Sequence, residues 1–370
     1  MRALASFTVA GVLLTTVSWG HPARAADEKA RFDHGRLARQ ALEKHIRPGY
    51  ARFAAATKGL HDAISASCGR NATARARIDR AFDAAVTAWG RIEHVAFGPV
   101  TAEQRIERIM FWPDRRGIGA RQVAKALHER SPDVLNAEQL AKKSVAMQGL
   151  PALETVLFGD SPRGVANDEA TRFRCAFARA IAGNLSQMAR AIASEWASSD
   201  GFVKSWLSPG SGNSNFLKPA ETTVALAKAF DLGLEKVRDQ RVGGPLGLTA
   251  QRRKIAPALG KSGRSMLLIQ ANIEGLRALY VEGGMEQALI GAKNNDAERV
   301  AALAKLVSQE LATASRTASA LAGLKTPFEG AAAQRIIALG FPLKNARVTA
   351  AELFTDVTGL PLGFNASDGD

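Results

Sequence analysis

Apolar residues recur every three or four positions along most of this 370-residue chain. Ile78, Phe82, Val86, Trp89 and Ile92 form one stripe, and Phe173, Phe177, Ile181, Leu185, Met188, Ile192 and Trp196 form a longer one. A third runs Met266, Ile269, Ile273, Leu276, Tyr280, and a fourth Val300, Leu303, Leu306 with Val307, Leu311. That period places apolar side chains on one face of an α-helix. No comparable alternating segment bounded by turns stands out, so the pattern predicts an all-α fold of long amphipathic helices.

The punctuation fits the same map. Asn71 and Asn167 stand where N-caps belong, Asp168 and Glu169 fill a first turn, and Gly159, Gly201 and Gly243-Gly244-Pro245 follow the ends of periodic runs. The stretch from Gly159 to Gly164, with Asp160, Ser161 and Pro162, is the best linker near the middle. It divides the chain into two helical-bundle halves, residues 26–160 and 161–370. Each half reads as a long helix, a second helix, a Pro/Gly turn and a shorter apolar helix. The turns are Trp112-Pro113-Asp114 and Gly244-Pro245-Leu246-Gly247, an order that an ancient internal duplication would explain.

The first 25 residues change the picture of where the protein works. Arg2, an apolar run from Ala3 to Val17 and Ala23-Arg24-Ala25 have the three parts of a secretory signal peptide, so residues 1–25 are excluded from the fold. The run is shorter than the ~20 residues a membrane-spanning helix needs, and no later stretch approaches that length without charges. The expected location is therefore the periplasm or cell envelope, with no membrane span. The formal charge of +14 is spread over many helices with no Lys/Arg tract, as solvated helix faces are. Export, and the lack of any finger, glycine-rich clamp or recognition-helix signature, argue against a nucleic-acid partner. In an oxidising compartment Cys68 and Cys175 can form one disulfide. Two buried free thiols are the alternative.

Candidate chemistry is sparse. Beyond His21 in the leader, the histidines are His34, His45, His61, His94 and His128, and none belongs to an H-x-x-E, H-E-x-x-H or H-x-H arrangement. His45 and His61 are expected on exposed or half-buried helix faces. There is no G-x-S-x-G, and an all-helical chain has no strand-to-helix elbow to present a serine nucleophile. The informative stretch is Gly149-Leu150-Pro151-Ala152-Leu153-Glu154-Thr155-Val156-Leu157-Phe158-Gly159, where a carboxylate stands inside an apolar helix. A buried carboxylate requires a nearby arginine or hydrogen-bond donors. Glu154 is thus either one partner of an ion pair between helices or a ligand-binding group. Pro151 either kinks a continuous helix or starts a new one, and both leave backbone carbonyls free just before Glu154.

This stretch resembles the G-x-H-x-x-E motif of imelysin-like proteins, with Gly149 and Glu154 matching and Pro151 in the place of the histidine. The resemblance extends through Trp112-Pro113-Asp114, the Cys175-bearing segment Arg172 to Leu185, Pro245-Leu246-Gly247, and Arg264-Ser265 before Asn272 to Tyr280. It continues to Gly363-Phe364-Asn365 and Asp368-Gly369-Asp370. It implies two related helical bundles in an envelope protein associated with iron uptake and once classed among metallopeptidases, with a metal or ligand site between the halves. Proline offers no ligand atom, so the resemblance carries iron and peptidase activity over only weakly: Glu154 alone remains as a metal ligand.

The expected function is a non-enzymatic binding protein taking a small anionic ligand or a metal complex at Glu154, Arg264, Ser265 and Gly149. The planar fork of an arginine suits carboxylate or phosphate oxygens. In the plainer reading Ser265 caps its helix and Arg264 pairs with Glu154. The alternatives are a metallopeptidase with ligands from elsewhere and a ligand-free module that binds another envelope protein.

Overall fold

The computed structural model describes residues 32–68, 72–159, 168–248, 254–292, 296–324 and 326–360. The expected leader with its expected cleavage site, the capping positions Asn71 and Asn167, the linker residues 160–164 and the segment from Gly363 to Asp370 lie outside them. Among the described residues every regular element is helical. The described α-helices of eight or more residues are α1 (His34–Ala41), α2 (Arg47–Ser67), α3 (Ala72–Gly90), α4 (Ile118–Glu129), α5 (Gly149–Phe158) and α6 (Glu169–Ala197). They continue as α7 (Pro219–Glu235), α8 (Ser265–Val281), α9 (Ala297–Leu321), α10 (Gly330–Ala338) and α11 (Gly340–Thr358). None is long and apolar enough to cross a membrane.

Two helices widen into π-helical turns instead of stopping. Leu42–Ile46 joins α1 to α2, and Lys236–Gly243 carries α7 on into a last turn, Gly244–Leu246. Each widening precedes a proline, Pro48 or Pro245, which has no N–H to give the carbonyl four residues earlier. The Gly243-Gly244-Pro245 run therefore does not end its helix as expected. The helix ends at Gly247, which adopts the left-handed conformation. Asp168, not Asn167, is the N-cap of α6, accepting from the Thr171 amide at 2.7 Å.

The first three stripes read from the sequence are buried; in the fourth, Val300, Val307 and Leu311 are buried, but Leu303 is half-buried and Leu306 is exposed. The α6 stripe packs chiefly on α2, which also packs on α3, while α5 lies against α6. Helices α8, α9, α11 and α7 form a second group, and α1 packs on α7. The groups interlock across the middle of the sequence: α6 follows residue 160 but sits on first-half helices, and α1 belongs to the first half but sits on a second-half helix. They also meet directly where α3 crosses α8. Any side chain at Gly275 would strike the Arg91 backbone there, and Asn272 donates from Nδ2 to the Gly90 carbonyl at 2.9 Å. One continuous apolar core runs through both groups. A disulfide joins Cys68, after the end of α2, to Cys175 on α6, with the Cα atoms 5.6 Å apart.

Candidate functional site

Helix α5 begins on a buried polar floor. The Gln148 side chain accepts from Arg108 Nε at 2.9 Å and from Asn184 Nδ2 at 2.8 Å, and donates to the Lys143 carbonyl at 2.9 Å. Gly149 follows with positive φ, and a Cβ there would collide with the carbonyl oxygens of Arg108 and Ile109. Gly149, expected among the ligand-binding residues, therefore serves close backbone packing. Pro151 lies in the first turn, where its missing N–H has no intrahelical acceptor to lose, so it starts a helix and does not kink one. The groups left unpaired at such an end are amides, not the carbonyls expected from the sequence, and the Pro151 carbonyl accepts from Thr155 Oγ1 at 3.1 Å.

Glu154 is 5% exposed. Its Oε1 accepts two hydrogen bonds, both 2.7 Å, from the backbone amide and the hydroxyl of Ser262. Ser262 lies on the segment 254–264 that leads into α8. Burial raises the Glu154 carboxyl above the ordinary glutamate value, and the Ser262 hydrogen bonds with the charges of Lys261 and Arg264 only partly offset this. Oε2 accepts nothing from any described residue. Lys261, exposed beside it, donates weakly to Thr155 Oγ1 at 3.4 Å.

Arg264 does not pair with Glu154. Its Nε donates to Asp83 at 2.8 Å, its Nη1 to the Ser262 carbonyl at 2.5 Å, and its guanidinium lies 4.7 Å from the Phe158 ring centre. By holding Ser262, Arg264 positions the group that holds Glu154. Arg75 lies over the same ring at 4.6 Å, pairs with Asp79 at 3.1 Å and donates to the Leu157 carbonyl at 2.8 Å. Arg174 serves the Val156 carbonyl at 2.8 Å. The last turn of α5 thus finds cationic partners for its open carbonyls. Ser265 is buried and its hydroxyl donates to the Ala258 carbonyl at 2.7 Å, while Arg264 holds the N-cap position. The structure therefore brings Glu154 and Arg264 together through Ser262 and Phe158, and commits Ser265 and Gly149 to packing.

A second polar cluster had no local sequence signal. The turn after α3 presents Glu93 and His94, one to each π-helical segment. His94 Nε2 lies 2.9 Å from His45 Nε2, and Glu93 receives Arg241 Nη2 at 2.9 and 3.1 Å and Lys236 Nζ at 3.4 Å. His45, expected on an exposed or half-buried face, is buried. Burial, with the His94 ring and then Arg52 beside it, drives its pKa well below the usual value. Burial and Lys236 push His94 down to about 3. Two neutral rings sharing one hydrogen bond fit that environment. Glu93 and His94 stand between Ile92 and Val95, but Arg241 closes the wholly polar run Arg238-Asp239-Gln240-Arg241, so nothing local singled the pair out.

The resemblance also raises a metal at Glu154, and the residues there do not fit one. A metal ion needs several converging donors. Among the described residues no three His, Cys, Asp or Glu groups converge to hold an ion. Around Glu154 the neighbours are Lys261 and Arg264, and Pro151 has no ligand atom.

Solved structures share this arrangement of helices. An imelysin-like protein from Psychrobacter arcticum superposes with a TM-score of 0.74 at 20% identity, covering 90% of this chain and 99% of that one. A putative iron-regulated protein A precursor from Parabacteroides distasonis gives a TM-score of 0.66 at 12% identity, covering 91% and 97%. No curated protein matches the chain. The family model described as Imelysin, which also carries the label peptidase M75, matches residues 46–358. With that model spanning most of its length, the chain belongs to the imelysin family.

Proposed function

We propose that this protein is an exported, non-enzymatic binding protein of the cell envelope, taking a small anionic ligand or an anionic metal complex at Glu154. The observation that carries this reading is the half-used carboxyl of Glu154: Oε1 is fixed by two donors on Ser262, Oε2 accepts from no described residue, and the pKa is raised. A carboxyl whose pKa is raised by burial takes up a proton more readily beside an anion, and once protonated it can donate a hydrogen bond to an oxyanion; Lys261 supplies a positive charge beside it. Arg264 acts by positioning Ser262. The iron-regulated relative and the family's association with iron uptake favour a metal carried within an anionic complex over a bare ion. The peptidase label is not extended to this chain, because hydrolysis by that route needs a metal-held water, and Glu154 with Pro151 supplies one ligand.

Calorimetry on the mature protein tests the reading with citrate, its ferric complex, and zinc or ferrous ion alone. Citrate or ferric citrate is expected to bind, Lys261→Ala to weaken it several-fold, and the bare ions to bind poorly. Tight stoichiometric zinc with proteolysis would replace this reading with the peptidase one. No binding by any probe would favour a module that docks to another envelope protein.

A further inference from the structure

Among the described residues, buried polar atoms without partners occur on Trp89, Gln122 and Trp196, one each, while Arg241, Asn272 and His94 carry the rest, and each of these three bonds to the end of α3 or the turn after it, or belongs to that turn. Arg241 is 3% exposed, and although Nη2 is taken by Glu93, its Nε and Nη1 find no acceptor. Asn272, bonded to Gly90 three residues before Glu93, leaves Oδ1 unpaired, and His94 leaves Nδ1 unpaired. Each such group costs about 1–3 kcal/mol when buried without a partner, so several around a single turn mark a place built for something else to complete. The charge is unbalanced as well, because Arg241 and Lys236 share the single carboxylate of Glu93. The Trp112 ring covers the guanidinium at 4.6 Å and is tethered by Nε1–H to the Ala256 carbonyl at 3.0 Å. Trp112 is only half-buried and the Lys236 side chain is 32% exposed, so the cluster reaches the surface beside them.

We propose that this junction is a second binding site, for a small oxyanion whose oxygens accept from the open donors of Arg241 beneath Trp112, with Lys236 balancing its charge. Two N–H donors and an excess cation exclude a metal ion and favour an acceptor-only, negatively charged group. The aromatic cover keeps water from the guanidinium and strengthens that attraction. Segment 254–264 links this site to Glu154, since Ala256 anchors Trp112 and Ser262 anchors Glu154.

NMR of arginine Nε–H resonances in the full chain tests the proposal, with acetate and inorganic phosphate titrated at an ionic strength held by chloride. The Arg241 signal is expected to shift saturably, with the Trp112 contribution to fluorescence, assigned by Trp112→Phe, changing at the same midpoint. Whichever probe saturates first separates a carboxylate ligand from a phosphate one. Arg241→Lys keeps a cation against Glu93 but removes both open donors, and is expected to weaken the fluorescence response at least tenfold. Glu154→Ala is expected to leave it unchanged. The proposal is overturned if neither probe shifts the wild-type signal, if chloride does so equally well, or if the response survives in Arg241→Lys. Loss of the response in Glu154→Ala would also overturn it, by merging the two sites into one.

Discussion

Glu154 and Glu93 are withdrawn from water to the same degree, 5% and 3% exposed, yet their surroundings treat them in opposite ways. Around Glu93 burial alone would raise the pKa, but Arg241 and Lys236 outweigh it and hold the carboxylate below the ordinary range. Around Glu154 the donors are the neutral amide and hydroxyl of Ser262, the nearest cations stand off, and burial prevails. Glu93 is a committed ion that fastens the turn after α3 to the π-helical end of α7. Glu154 is an uncommitted carboxyl with one oxygen to spare. Burial alone therefore does not tell a carboxylate locked in an ion pair from one with an open oxygen, whereas the charge of its donors does.

The largest effect separating the two should come from removing each charge. Glu93→Gln leaves Arg241 and Lys236 without their counter-ion and should cost about 3–5 kcal/mol, as breaking a buried pair does. Glu154→Gln keeps an acceptor for Ser262 and should change stability by less than about 1 kcal/mol. Urea unfolding of the two variants would break the comparison if their losses were equal.

Acid should act on the two regions in opposite directions. The unfolded chain protonates His45 and His94 near the ordinary value of 6.5, while the folded chain keeps both rings neutral. Their contribution is complete above pH 6.5 and is lost as pH falls toward the folded values, at up to about 1.4 kcal/mol per pH unit for each extra proton the unfolded chain binds. The charged groups acting on the pair are Arg52 and Lys236, and Glu93, next to His94 in the chain, adds loss in the same direction at lower pH because its folded pKa is depressed. Glu154, with a raised folded pKa, contributes in acid and loses that contribution as pH rises through its folded value. Thermal melts from pH 7 to 5 should show a falling midpoint that His45→Gln flattens.

Much of this was legible in the sequence. The stripes on α3, α6 and α8, and on α9 all but Leu303 and Leu306, are periodic and lie on buried faces because apolar burial is what stabilises an amphipathic helix. Glu154 stood out because a carboxylate inside Leu150 to Phe158 violates that period. The partner of Glu154 was not legible, since Ser262 lies 108 residues away and a serine in a turn carries no signal of its own. The same holds for Glu93 with Arg241, 148 residues apart. The π-helical turns that aim His45 and Arg241 keep the apolar period nearly intact, and only Pro48 and Pro245 mark them. Trp112-Pro113-Asp114 was read as a turn. Its details are a cap, with Asp114 accepting from the Ile118 and Gly119 amides at 2.8 and 2.9 Å, and the Trp112 cover over Arg241.

A smaller effect sharpens the account of the Glu154 site. In Pro151→His the imidazole stands three residues before Glu154, on the same helical face. Zinc or ferrous-ion affinity should rise at least about tenfold, or about 1.4 kcal/mol, and Glu154→Ala in that background should abolish the gain. Thermal unfolding without metal separates this from any stability change caused by the regained backbone donor. Tight metal binding by the wild type, unchanged in Pro151→His, would place a metal site elsewhere.

The central claim is that Glu154, its pKa raised by burial, takes up a proton as it receives an anion, and proton linkage tests it most directly. Citrate binding measured calorimetrically at one pH above the ordinary glutamate range, in buffers of different ionisation enthalpy, reports the protons taken up with the ligand. The account predicts net uptake by the wild-type protein that disappears in Glu154→Gln while binding persists. Binding without uptake, or uptake unchanged in Glu154→Gln, would contradict it.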